Sequence, residues 1–163
     1  MKRANRQRLT LLLAVLALLA LTGWQLQRDN TRAHVRLTAR DPASITRIAL
    51  TLPGASTLHY ERRASHWWHV DGTPVRAIDA RLNELADTAA ARVLSWRPAS
   101  DFDPAKIGLT PPQAVLELDG QALEFGEISV TGPQHYVRVG QQVALVSMRY
   151  MPRSPAIQTT ELH

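Results

Sequence analysis

Thr46-Arg47-Ile48-Ala49-Leu50-Thr51-Leu52, followed by Pro53-Gly54, is the stretch that decides the fold class. Ile48, Leu50 and Leu52 alternate with Arg47, Ala49 and Thr51, a period of two that puts the apolar side chains on one face of a strand. Pro53-Gly54 follows as a turn, because proline fixes φ and glycine accepts a positive φ. Working outward, residues 57–62 predict a second strand, residues 63–65 a turn and residues 67–70 a third, short strand that Asp71-Gly72 closes. Successive strands joined this tightly form an antiparallel meander.

Next comes a change of period. Ile78, Leu82, Leu85, Ala89 and Val93 step by four, three, four and four, which traces one apolar stripe on a helix. Thr73-Pro74 offers an N-cap and a first-turn proline for it, and residues 93–97 predict an extended exit that Pro98 ends. Asp101 to Leu109 reads as a single capped turn, with Asp103 accepting free N–H groups, Pro104 opening it and Gly108 leaving left-handed. Thr110-Pro111-Pro112 predicts extension. A second meander then runs through residues 114–118, an Asp119-Gly120 hairpin turn, residues 123–125, a loop containing Gly132-Pro133, residues 135–139 and, after Gly140, residues 143–147. The two meanders share a faint pattern, Trp68-His69-Val70 in one and Tyr136-Val137-Arg138-Val139 in the other, compatible with an internal duplication. The expected fold class is α+β: an N-terminal transmembrane helix, then antiparallel β-meanders with one covering α-helix.

The N-terminus behaves differently. Residues 9–27 carry no charge, and as a helix those 19 residues span roughly 28 Å, about the thickness of a bilayer's hydrocarbon core. Lys2, Arg3, Arg6 and Arg8 precede the tract and favour a cytoplasmic N-terminus. Trp24 and Arg28 fall at its far end, where an indole and a guanidinium suit the membrane interface. A cleaved signal peptide shares this layout, but the small-residue spacing around Ala20-Leu21-Thr22 is poor, which favours retention as an anchor. The expected organisation is a basic tail at 1–8, a transmembrane signal anchor at 9–27, an Arg-rich linker at 28–44, an extracytoplasmic domain at 45–150 and a loosely ordered tail at 151–163. In a bacterium this means a single-pass protein of the inner membrane with a periplasmic domain.

Charge and composition exclude several function classes. The formal net charge is +5, yet residues 1–40 hold eight basic side chains against Asp29 alone, while residues 41–163 hold eleven against thirteen acidic ones. Basicity confined to the membrane-flanking part is a poor footprint for nucleic-acid binding. The absence of cysteine removes disulfides, thiol catalysis and cysteine-based zinc sites. Neither a nucleophile elbow nor a Gly-Lys-Ser/Thr phosphate loop occurs. Asp101 and Asp103 are better explained by capping than as paired catalytic carboxylates. His66 and His69, three apart in an extended segment, point to opposite faces and do not chelate one ion, and no other histidine has a ligand-spaced partner. No cofactor, metal or enzymatic activity is expected. The expected partners are the lipid bilayer and other membrane or envelope proteins.

The order of these features resembles the bacterial family numbered 4340 in the series of domains of unknown function. The resemblance runs from about Ile45 to Tyr150. It rests on the opening strand 45–52, Trp68-His69-Val70, the helix from Ala77-Ile78-Asp79 to Leu85, and Phe102 with Lys106-Ile107-Gly108-Leu109 and Pro111-Pro112. Leu123-Glu124-Phe125-Gly126, Tyr136-Val137 and residues 143–146 complete it. The Gly-Leu-x-x-Pro element at 108–112 is its most specific piece. The resemblance implies a membrane-anchored, extracytoplasmic protein of a kind often linked with ABC-type export or gliding-motility assemblies, with no catalytic residues to carry over. It also implies that Trp68 and Val70 are the inward pair of their strand. Trp67 would then face outward beside His69, either contacting a partner or carbohydrate or lying under a loop or the helix. The resulting expectation is a non-catalytic accessory or scaffold module of an envelope assembly; the alternative is a periplasmic domain that binds a glycan or another envelope ligand.

Overall fold

The computed structural model of the chain describes residues 35–155. The basic tail, the charge-free tract with Trp24 and Arg28, and the linker as far as His34 lie outside the described residues, as does the tail from Ala156 onward.

Nine strands form one antiparallel sheet: β1 (Arg47–Thr51), β2 (Leu58–Arg63), β3 (His66–His69), β4 (Val75–Arg76), β5 (Val93–Pro98), β6 (Ala114–Leu118), β7 (Gln121–Ile128), β8 (Gln134–Val139) and β9 (Gln142–Ser147). Their spatial order is β4-β3-β2-β1-β6-β7-β8-β9-β5. The two expected meanders are therefore present, joined back to back by the β1–β6 pair, where Ile48 faces Leu118 and Leu50 faces Leu116. One α-helix among the described residues, α1 (Asp79–Asp87), carries the chain away from edge strand β4, and β5 adds itself to the far edge beside β9. This is an α+β fold, mostly β.

One face of the sheet, here called inner, forms a contiguous core. Ile48, Leu50, Tyr60 and Trp67 from the first meander join Leu116, Leu118, Leu123, Phe125, Val137 and Val146 from the second, with Leu82, Leu85 and Ala86 of α1 packed among them. The alternation in residues 46–52 thus has its physical cause in Ile48 and Leu50, both essentially sealed from water. On the opposite, outer face a smaller cluster of Ile107, Leu109 and Val143, with Phe102 and Tyr136 against it, covers the second meander alone.

Several expectations shift. The helix starts at Asp79 rather than near Thr73, and Ile78 occupies the N-cap with no side-chain cap bond. Val75–Arg76 instead pairs with β3, because the chain needs those residues to close the sheet edge before it turns. The helix also ends at Asp87; a 3-10 turn at Thr88–Ala90 follows, so Ala89 stays on the apolar side while Val93 belongs to β5. Thr110-Pro111-Pro112 does not extend: Leu109 and Pro112 face each other across a turn. The last part of the expected linker belongs to the domain. Leu37 N–H donates to Ala91 O and Thr38 N–H to Ala89 O, both at 2.9 Å, and Leu37 is buried in the core.

Candidate functional site

The sequence singled out Trp67 and His69, and β3 places both on the inner face. In the β2–β3 hairpin Arg62 faces Trp67 and Tyr60 faces His69, so their side chains share the side of the buried Tyr60. The expected orientation of the two tryptophans is therefore reversed. Trp67 is 0% exposed, and Trp68 is the half-buried one on the outer face. The reason is the entry of α1. Asp79 Oδ1 accepts the Trp67 N–H at 2.7 Å, and Asn83 Oδ1, one turn on, accepts the indole Nε1–H at 2.9 Å. Arg62 lies over the same indole, 5.0 Å from the ring centroid, and donates to Asn83 Oδ1 at 2.8 Å and to Ala43 O at 3.0 Å. A buried indole needs its N–H satisfied, and this network does that. Trp67 consequently joins helix, sheet and the 42–44 turn, and it offers no surface to a partner.

His66 and His69 lie on opposite faces, as their spacing predicts. His66 Nδ1 is 2.7 Å from Asp79 Oδ2. The Trp67 N–H bond, then the His66 and Arg76 contacts, lower the Asp79 pKa to about 2. His69 takes part in a second cluster at the end of the hairpin. Asp71 accepts the His59 N–H and approaches His59 Nδ1, both at 2.7 Å, and its Oδ2 sits 3.2 Å from His69 Nε2 without the alignment of a hydrogen bond. The backbone bond from His59 holds the Asp71 carboxyl below its usual range. Tyr60 stacks at a tilt on His69 with centroids 5.3 Å apart, and burial, reinforced by the Asp71 charge, raises its pKa.

A cavity of about 130 Å3 opens beside this pair, lined by Tyr60, His69, Val75, Arg76, Ala77, Ile78 and Pro155. Tyr60 Oη is buried without a hydrogen-bond partner, and buried His69 Nε2 has only its unaligned 3.2 Å contact with Asp71. Unpaired buried polar atoms are costly, so their presence next to an apolar cavity marks this as the best candidate site in the described domain. Its volume matches one benzene-sized molecule and falls short of a glycan chain. Of these residues the sequence singles out His69 as a site candidate and gives Asp71 only as part of a turn. The available signal was an aspartate two residues after a histidine at the end of a strand, with His59 on the strand before it.

Other candidate residues take scaffold roles. Asp103 caps its turn, with Oδ1 accepting from Ala105 N–H at 3.2 Å. Asp119 Oδ1 accepts from Arg47 N–H at 2.8 Å and from Thr46 N–H and Oγ1 at 3.1 Å. Burial opposes its ionisation, but these bonds outweigh it and lower its pKa. Buried His135 places Nδ1 2.9 Å from Gly126 O. Among the described residues no group of three or more His, Asp or Glu is placed to hold a metal ion, and no helix is long and apolar enough to cross a membrane. Comparison with family models, curated proteins and solved structures finds no match to this chain.

Proposed function

We propose that the chain is a single-pass, membrane-tethered accessory or scaffold module of a bacterial envelope assembly, with its α+β domain outside the cytoplasm and no chemistry of its own. The observation that carries this reading is the charge-free tract at 9–27 behind four basic residues. Support comes from the domain's carboxylates: Asp79, Asp71, Asp103 and Asp119 each hold backbone N–H groups and so brace the scaffold. Tethering raises the effective concentration of such a module toward neighbouring membrane proteins without a large interface. The resemblance to the 4340 family points the same way and suggests an ABC-type exporter as the larger assembly.

The test is topological and functional. A reporter active only in the periplasm, fused after His163, should be active, and carbonate extraction should leave the chain in the membrane pellet. A soluble form beginning near Gly23 would overturn the anchor. Full rescue of a deletion strain by the exported, untethered domain would overturn the assembly role.

The Tyr60–His69 cavity supports a second reading, a binding domain for an envelope ligand with an apolar end and one hydrogen-bonding group. Filling the cavity with Ala77→Leu separates the two: a ligand-binding protein loses function while staying folded, and a scaffold keeps it.

A further inference from the structure

One end of the sheet gathers exposed apolar side chains that the core does not require. There β7 ends at Ile128, β8 begins at Gln134, β9 ends at Ser147 and β5 begins at Val93; the pairs Ile128–His135, Gln134–Ser147 and Val93–Val146 make these ends neighbours. Leu94, Ile128, Val130 and Met148 are all exposed at this end, and so is Val35, whose carbonyl accepts the Val93 N–H at 2.8 Å. Val130 is 98% exposed, at the tip of the loop joining β7 to β8. That loop is braced, with Ser129 N–H donating to Gln134 O at 2.7 Å and the Ser129 and Thr131 hydroxyls 2.8 Å apart. The apolar tip is therefore held out by structure. Clustered exposure of this kind marks an interaction surface in a soluble-facing domain.

Charge and chain connection identify the partner. Exposed Arg36 and Arg92 bridge beside Leu94. Arg149 follows Met148 and, with Arg81 and Arg153, lines a groove of about 410 Å3 on the flank. The acidic residues on this side include Glu127, Asp87 and Glu84, and Glu84 is paired with Arg81 at 3.2 Å. Val35 begins the described domain at this same end, and seven residues, Arg28 and Arg32 among them, separate it from Gln27. In any conformation that connection reaches at most about 29 Å. Apolar tips ringed by arginines, at the end of the domain next in chain to a membrane-length tract, match the layout of an interfacial lipid-binding surface.

We infer that this end of the sheet, with Val130 at its tip and Leu94, Ile128, Met148 and the arginines around it, seats on the interfacial layer of an anionic bilayer. The inference rests on the tethered reading above and adds an orientation to it: the β7–β8 loop points at the membrane, and the Gly140-Gln141 turn at the other end of β8 points away.

The chain has no cysteine, so a single one can be labelled. Val130→Cys and, as the distal control, Gln141→Cys would each carry an environment-sensitive fluorophore in the full-length protein. The protein would be reconstituted into vesicles of phosphatidylglycerol and phosphatidylethanolamine. The label at 130 should shift to the blue and be quenched several-fold more by a lipid-borne quencher than the label at 141. Val130→Asp, read from a label at Met148→Cys, should lower quenching to the level of the distal control. Equal, water-like behaviour at 130 and 141, or no effect of Val130→Asp, overturns the inference. A shift that persists in detergent and depends on protein concentration assigns the patch to a second copy and also overturns it. Carbonate extraction of the same vesicles reads the anchor separately. Retained chain with a water-like label at 130 sinks the docking and leaves the tether. Released chain whose label had shown lipid contact sinks the tether and leaves the docking.

Discussion

The two meanders are built to the same plan and finished differently. Each presents an aromatic side chain on the outer face of its third strand, Trp68 on β3 and Tyr136 on β8. Over the second meander, residues 99–109 fold back as a cover: Phe102 meets Tyr136 edge-on with centroids 5.7 Å apart, and Ile107 and Leu109 seal Val143. The first meander's outer face, formed by Ala49, His59, Glu61 and Arg63 with Trp68, has few large apolar groups and takes no such cover among the described residues. Its inner face is where α1 docks, through Asp79, Asn83 and Trp67. The difference teaches that one continuous sheet is covered where its side chains demand it. Helix and loop therefore cover opposite faces of its two halves.

The largest expected effect tests the inner side of the first meander. Trp67→Ala removes a sealed indole together with the partner of Asn83 and should cost roughly 3–5 kcal/mol, read as a fall in the urea midpoint of the purified chain. A loss no greater than that of Trp68→Ala would mean that α1 is not pinned through Trp67.

Next in size is the attachment of the cover. A Cβ at Gly126 would collide with the Ile107 carbonyl, whose oxygen accepts the Glu127 N–H at 2.9 Å, and Gly108, at φ +67°, lies against Glu127. Gly126→Ala should therefore lift the cover and cost about 1–3 kcal/mol. Lys106 sits within the cover and is the domain's one lysine, so a lysine-specific protease should cut there faster in the variant. Unchanged cleavage would show that the cover does not depend on this close approach.

How much of this was legible follows from the hairpin turns. Asp119-Gly120, with φ of +46° and +85°, is a two-residue turn whose sequence announces it, and the strands expected on either side, 114–118 and 123–125, are there, the second beginning two residues earlier at Gln121. Ala64-Ser65 makes the same kind of turn, with φ of +47° and +69°, from residues that seldom adopt it. Residues 63–65 read instead as a three-residue turn, which leaves the parity of β3 to the resemblance, and the resemblance put Trp68 inward, the wrong way round. A two-residue turn would have placed Trp67 opposite Arg62, on the side of Leu58 and Tyr60. Two adjacent indoles could not resolve the question, because either one makes a good core residue. The Tyr60–His69 cavity was hidden for the same reason, since it depends on that parity and on β4, whose two residues are too few to show a period. The attachment of 107–109 to Gly126 joins two stretches distant in sequence, 107–112 and 123–126, and no periodicity reveals such a contact.

Acid should weaken the first meander through a smaller, graded effect. Asp79, lowered to about 2 from 3.8, binds its proton more weakly folded than unfolded. The stability it supplies is complete above the unfolded pKa of ~4 and is lost as pH falls from there through about 2. Asp71 and Asp119 shift in the same direction and add to the slope. Urea midpoints measured between pH 6 and pH 2 should fall, and Asp79→Asn should start lower and fall less. An equally steep fall in the variant would assign the acid sensitivity elsewhere.

The smallest effect is the sharpest test of the comparison, because it sets equivalent residues of the two halves side by side. Trp68 lies half-buried in the sheet's outer face, with Glu61 and Arg76 opposite it on the neighbouring strands, so it contributes cross-strand contacts and little burial. Threonine keeps the strand preference, and Trp68→Thr should cost about 1 kcal/mol or less. Tyr136→Thr removes a ring that Phe102 and the cover pack against, so it should cost clearly more and also speed cleavage at Lys106. Equal losses at the two positions, measured by urea denaturation under the same conditions, would mean that the cover contributes nothing to the second meander. The two outer faces would then be energetically alike despite their different finish.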